Sequence, residues 1–135
     1  MANNRQSETQ DRLIFIYNAD SGFVSMLMDW SHKIIRPSTY NCQLCLLTYG
    51  NTGMRKKWQS FIFSLPYDPV FLHRDELIKQ HPSLRDTTLP CIFIQEKTAT
   101  TPRMLLDATT LNAQKTLEQL IQTCTEALRI KNGNH

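Results

Sequence analysis

Long apolar runs are missing from this sequence. No hydrophobic stretch approaches the roughly 18 residues that a membrane span needs. The opening MANNRQSETQDR is polar, with no hydrophobic segment of the kind that heads a secretory leader. Neither membrane association nor export is expected, and the chain reads as cytoplasmic. An excess of one charge is missing too: 15 Lys and Arg against 12 Asp and Glu leave +3 on 135 residues. That balance is too mild to argue for nucleic acid or a membrane surface as partner. Internal repeats and low-complexity tracts are absent. What remains, 41% hydrophobic and 20% charged, is ordinary for a globular protein and suffices for one core. Residues 1–11 contain nothing to bury and are expected to form a disordered tail; residues 12–131 should make a single domain. The four cysteines, in a cytoplasmic protein, are expected to be mostly reduced thiols or metal ligands.

The stretch from Arg12 to Ile35 organises the rest. Leu13 to Tyr17 is a short apolar run, rich in β-branched and aromatic residues, and predicts a buried strand. Asn18-Ala19-Asp20-Ser21-Gly22 breaks it and offers side-chain oxygens to cap a helix. Phe23, Leu27, Trp30 and Ile34 then mark one face of that helix, which Arg36-Pro37 ends. Leu46 to Tyr49 predicts a second buried strand, closed by a turn over Gly50–Gly53. Met54, Trp58, Phe61, Ile62 and Leu65 predict a second amphipathic helix, stopped at Leu65-Pro66. Val70–His73 is a short strand running into Arg74-Asp75-Glu76, and 77–88 read as polar and irregular. Leu89-Pro90 leads into the apolar strand Cys91–Ile94, joined by a hairpin to a strand over Met104–Leu106. Thr116-Leu117-Glu118-Gln119 matches a capping box, and Leu117, Leu120, Ile121, Cys124 and Leu128 form the stripe of a last helix.

The expected order, β-α-β-α-β-β-β-α, describes an α/β protein with a central mixed sheet flanked by helices. A βαβ unit, a proline-led strand, a hairpin and a terminal helix together resemble the thioredoxin-like fold. In that superfamily the proline before the third core strand is usually cis and lies beside the active-site turn. The resemblance puts Pro90 in that place and Asp20-Ser21-Gly22-Phe23 in the place of the redox turn. The usual cysteine pair is absent from residues 20–23. Individual words, YNADSG, His32-Lys33, PSTYNCQLCLLTYG and FLHRDEL, are similar to those of a family of small, uncharacterised bacterial proteins. Some members carry a GTPase label, yet no G-x-x-x-x-G-K-[ST] loop exists here to cradle phosphates.

Cys42 and Cys45 form a C-x-x-C with three open readings: a redox pair, half of a metal site, or idle thiols. A redox pair normally opens a helix, whose N-terminal field lowers the thiol pKa. The strand expected over 46–49 withholds that help. Zinc needs four N or S ligands, of which the knuckle supplies two. His32 points about 180° from the apolar stripe of the first helix, by roughly 100° per residue, and could be a third. His73 is the other imidazole, but its expected place does not bring both histidines to the knuckle.

Asn18, Asp20 and Ser21 sit at the carboxyl end of the first strand, where open α/β sheets bind ligands. If the 70–73 strand runs parallel to the first, His73, Asp75 and Glu76 leave it at the same edge. A histidine with carboxylates there suits general acid–base work; helix capping and a solvated charge cluster are the bland alternative. Cys91 could approach the 20–23 turn but fits core packing better, and Cys124 belongs to the core. Trp30 and Trp58 are expected in the core. Lys33, Arg36, Arg55, Lys56 and Lys57 lack the interleaved aromatics of a nucleic-acid platform and read as a solvated face.

Two functions of different kinds follow. One is a thioredoxin-like thiol–disulfide oxidoreductase using Cys42 and Cys45, with Pro90 shaping its cleft and no cofactor. The other is a non-catalytic thioredoxin-like binding module, with a structural zinc at the knuckle through Cys42, Cys45 and His32. Either would act on an unidentified protein or small-molecule partner, not on nucleic acid or a membrane.

Overall fold

The run RLIFIY forms the strand β1 (Arg12–Tyr17), buried from Leu13 onward. The computed structural model describes residues 10–20, 42–50 and 53–133. Along this chain follow α1 (Gln43–Thr48), the two-residue strands β2 (Tyr49–Gly50) and β3 (Gly53–Met54), and α2 (Lys56–Ser64). Then come β4 (Asp68–His73), α3 (Arg74–Gln80), a 3-10 turn over Pro82–Leu84, and the hairpin β5 (Cys91–Gln95) and β6 (Arg103–Leu106). Two helices, α4 (Ala108–Asn112) and α5 (Leu117–Gly133), complete the described residues. The helix expected over 23–35, together with Ser21, His32, Trp30, Lys33 and Arg36, lies outside them, as do residues 1–9 of the expected tail.

The protein is α/β, with a mixed sheet in the order β4-β1-β5-β6 and helices packed against it. β1 pairs with β4 in parallel, from Arg12↔Asp68 to Tyr17↔His73. It pairs with β5 antiparallel, from Arg12↔Gln95 to Ile16↔Cys91, and β6 continues antiparallel along β5. The Leu89–Pro90 peptide before β5 is cis. Alternation along β1 divides two cores, since successive side chains leave a strand on opposite faces. Leu13, Phe15 and Tyr17 join Trp58, Ile62, Leu120, Cys124 and Leu128 on one face. Ile14 and Ile16 join Leu72, Leu77, Cys91 and Phe93 on the other. β1 is thus buried on both sides, as its unbroken apolar run requires.

Several expectations are corrected. Residues 46–49 are not a strand of the sheet: 43–48 are helix, and only Tyr49 pairs, with Met54, in a separate two-stranded ribbon. A short apolar run does not distinguish helix from strand by itself. Here Leu44, Cys45 and Thr48 are the buried positions, a helical spacing. The β-branched Thr48 is accommodated because its hydroxyl donates to the Leu44 carbonyl at 2.6 Å. Met54 belongs to β3 and not to the second helix, which begins at Lys56. It ends where expected, with Leu65 extended at ψ 149° before Pro66. Residues 77–80, read as irregular, are helix: they continue α3, whose first turn is Arg74-Asp75-Glu76, with acidic residues that suit a helix start. Helix α4 was not expected; Asp107 caps it by accepting the Thr110 N–H at 3.0 Å. Half of the predicted capping box of the last helix is present: the Gln119 N–H donates to Thr116 Oγ1 at 3.0 Å, whereas Gln119 Oε1 accepts the Lys115 N–H at 2.7 Å.

Candidate functional site

The carboxyl ends of β1 and β4 carry the chemistry-bearing residues. Cys42 stands at the N-cap of α1 and is disulfide-bonded to Cys45, with the Cα atoms 5.2 Å apart. Its Sγ accepts two backbone donors, the Cys45 N–H at 3.2 Å and the Asn18 N–H at 3.4 Å. The pair therefore lies against the residue that follows β1, and it opens a helix. The expectation that the knuckle lacks help from a helix start is overturned, because it depended on the strand that is not there.

Amide hydrogen bonds hold α1 in place. The Gln43 N–H donates to Asn112 Oδ1 at 3.1 Å, and Gln43 Nε2 to the Gln114 carbonyl at 2.6 Å. Gln114 is itself buried; its Nε2 donates to the Thr110 carbonyl and its Oε1 accepts from Thr123. These bonds anchor the start of α1 to the end of α4 and to α5. Both sulfur-bearing residues are shielded, Cys42 at 1% and Cys45 at 3% exposure.

Sheet register sets the other wall. Tyr17 and His73 are paired residues of parallel strands, and their rings lie 5.6 Å apart. Continuing the antiparallel β1/β5 register by one residue sets Pro90 across from Tyr17. Tyr17 shares its buried cluster with Cys42 and Cys45. Its hydroxyl is buried beside Thr48 and Tyr49, with no well-directed hydrogen bond among the described residues, and burial, then the Tyr49 phenol, pushes its pKa well up. His73 Nδ1 lies 2.6 Å from Glu76 Oε1, which also accepts the His73 N–H at 2.8 Å. His73 Nε2 is buried, with no hydrogen-bond partner among the described residues.

Asn18, Asp20, His73 and Glu76 therefore do gather at one edge, as parallel pairing predicts. Asp20 is engaged with Arg74 at 3.1 Å, and the Arg74 N–H donates to the Ala19 carbonyl, tying α3 to the exit of β1. Asp75 lies exposed on the first turn of α3. Cys91 is buried on the opposite face of the sheet, and burial pushes its thiol up to about 12. The thiol of Cys124, within α5, is likewise pushed up to about 12. Neither is suited to react at neutral pH, because the thiolate is the nucleophile. Among the described residues no group of three His, Cys, Asp or Glu side chains could hold a metal ion. Tyr17 and Gln114 escaped sequence reasoning; a sheet register and a helix contact define them, and neither leaves a spacing to read. No protein-family model, curated protein or solved structure matches this chain.

Proposed function

We propose that the protein is a thioredoxin-like thiol–disulfide oxidoreductase whose reacting pair is Cys42 and Cys45. One observation carries this reading: Cys42 Sγ accepts two backbone N–H groups, one from Asn18 and one from Cys45. Hydrogen bonds to the charged form favour it, so donors aimed at this sulfur lower the pKa of the reduced thiol. A stabilised thiolate is both a better leaving group and a more populated nucleophile at neutral pH. The partner is a protein or small-molecule dithiol, and Pro90 lines the approach beside Tyr17. In the proposed cytoplasmic setting a disulfide is transient, formed and broken in exchange.

The test is a redox titration of purified protein, with free thiols trapped and counted by mass. Cycling of one dithiol within the cytosolic range of roughly −320 to −220 mV supports the reading. A pair that stays oxidised at every accessible potential defeats it. In the reduced protein, thiolate absorbance should place the Cys42 pKa below the ordinary value of about 8.5.

The burial of both cysteines favours a second reading, a non-catalytic binding module in which this bond fastens α1 to the sheet edge. Failure to cycle, with binding partners retained in a Cys42→Ser variant, would select it. If zinc takes the place of the bond at these sulfurs, elemental analysis of the reduced protein will find it.

A further inference from the structure

We infer that Asn112 and Gln114 are positioning residues of the Cys42–Cys45 site and set how readily that pair is reduced, an inference that rests on the redox reading above. Helix α1 is six residues long, too short to hold its own shape. Its first turn is held from outside, by bonds that span 69 and 71 residues of chain. The peptide between Cys42 and Gln43 joins the N-cap cysteine to the helix, and both of its polar ends are engaged. Its N–H donates to Asn112 Oδ1 at 3.1 Å, and its carbonyl accepts the Leu46 N–H at 3.1 Å. Pinned at both ends, this plane fixes where the Cys42 side chain leaves the backbone.

A second bond fixes the turn against rotation. Gln43 Nε2 donates to the Gln114 carbonyl at 2.6 Å, and Gln114 is in turn held by its own side chain. Its Nε2 donates to the Thr110 carbonyl at 2.8 Å, and its Oε1 accepts from Thr123 Oγ1 at 2.9 Å. Gln114 is buried, so losing either bond strands a polar atom there. Apolar packing of Leu44 and Cys45 sets how deep α1 sits in the core, but hydrophobic burial has no direction. Hydrogen bonds weaken steeply with angle, so the orientation of the first turn depends on Asn112 and Gln114. That orientation brings the Cys45 N–H to 3.2 Å from Cys42 Sγ, with the Asn18 N–H at 3.4 Å.

One redox state feels this orientation more than the other. On reduction, two electrons from a substrate dithiol break the Cys42–Cys45 bond, and the dithiol closes to a disulfide. The dithiol releases two protons: one goes to Cys45 Sγ and one to solvent, which leaves Cys42 as a thiolate. A neutral disulfide sulfur gains little from two N–H donors. A thiolate gains more, since hydrogen bonds to a charged acceptor are roughly twice as strong. Loosening the first turn therefore raises the Cys42 pKa and destabilises the reduced protein selectively. A pair whose reduced form is less stabilised is a weaker oxidant.

The experiment measures the redox midpoint, the Cys42 pKa and the urea stability of both redox forms in wild type, Asn112→Ala and Gln43→Met. Asn112→Ala removes the acceptor of the Gln43 N–H. Gln43→Met removes the donor to Gln114 at a half-buried position and keeps a good helix former. In each variant the Cys42 pKa should rise by about one unit, a tenfold change in proton affinity. Reduction should become roughly three- to tenfold less favourable, tenfold being about 30 mV for this two-electron couple. The reduced form should lose more stability than the oxidised form. A residue that merely supports the fold costs both forms the same and leaves pKa and midpoint in place. That result, in a wild type that cycles normally, would overturn the inference and leave the oxidoreductase reading standing. Should Asn112→Ala fail to fold, Gln43→Met decides alone. Absence of cycling in wild type would remove both.

Discussion

Asn18 and Cys42 are 24 residues apart in sequence, yet the Asn18 N–H donates to Cys42 Sγ at 3.4 Å. That contact makes the end of β1 and the start of α1 one site. The disulfide shares its buried cluster with Tyr17, whose register partner on β4 is His73.

The bond between Cys42 and Cys45 links residues three apart. Closing so short a loop constrains the unfolded chain little, so a Cys42→Ser/Cys45→Ser variant should lose about 2 kcal/mol or less. Urea melts measure this as a lower midpoint at unchanged slope. A loss twice as large would mean that the sulfurs matter more to packing than to exchange. Because both cysteines are shielded, reduction of the wild type by dithiothreitol should accelerate in urea below the unfolding transition, through local opening. A rate independent of urea would mean that the bond is reached without opening.

Tyr17→Phe should be close to neutral, or slightly stabilising, at pH 7. The hydroxyl it removes is buried without a good partner among the described residues, so little hydrogen bonding is lost. Alkaline behaviour should differ more. Burial raises the Tyr17 pKa in the folded state, whereas the unfolded phenol releases its proton near pH 10. Its contribution is fully present below that pH and declines as pH rises through the folded value. Chemical melts from pH 8 to 11 should therefore fall less steeply in Tyr17→Phe than in wild type.

Asp107 titrates in the opposite direction. Its bond to the Thr110 N–H holds the carboxyl below its ordinary pKa. The stabilisation is present above about pH 4, the unfolded value, and is lost as pH falls through the folded one. Asp107→Ala should melt at lower temperature than wild type at pH 6, with the gap closing towards pH 2. A gap that stays constant with pH would assign the effect to something other than the ionised cap.

Trp58 is fully buried, edge-on to Phe15 at 5.6 Å and beside Phe61 at 5.7 Å. Truncation to Ala should cost roughly 3–5 kcal/mol. Trp58→Phe should cost distinctly less, because a ring still fills the site and the indole N–H it removes has no partner among the described residues. Equal losses in urea melts would show that the N–H is satisfied after all.

Much of the frame was legible in order. The unbroken apolar runs of β1 and β5, the proline stop after α2 and the Thr116 cap each rest on a local property, and the structure contains them all. Parallel pairing of β1 with β4 followed from their order, and with it the gathering of Asn18, Asp20, His73 and Glu76 at one edge. The failures share a cause. QLCLLT is short enough to be helix or strand, and contacts of Leu44, Cys45 and Thr48 with the core select helix. α4 is five residues long, with a short stripe that shows no period. Reading 46–49 as strand also removed the argument for the C-x-x-C as a redox pair, so one local error propagated into the chemistry.

Composition and pattern alone determined that this chain would bury a central strand on both faces and carry an α/β sheet. Hydrophobic burial acts on every residue and leaves a periodic trace. Only the tertiary structure decided which sulfur receives the Asn18 N–H, which ring meets Tyr17 and which carboxylate holds His73. Those are pairings between distant segments, set by strand register and helix docking, and a hydrogen bond of about 3 Å has no signature in a one-dimensional order of residues.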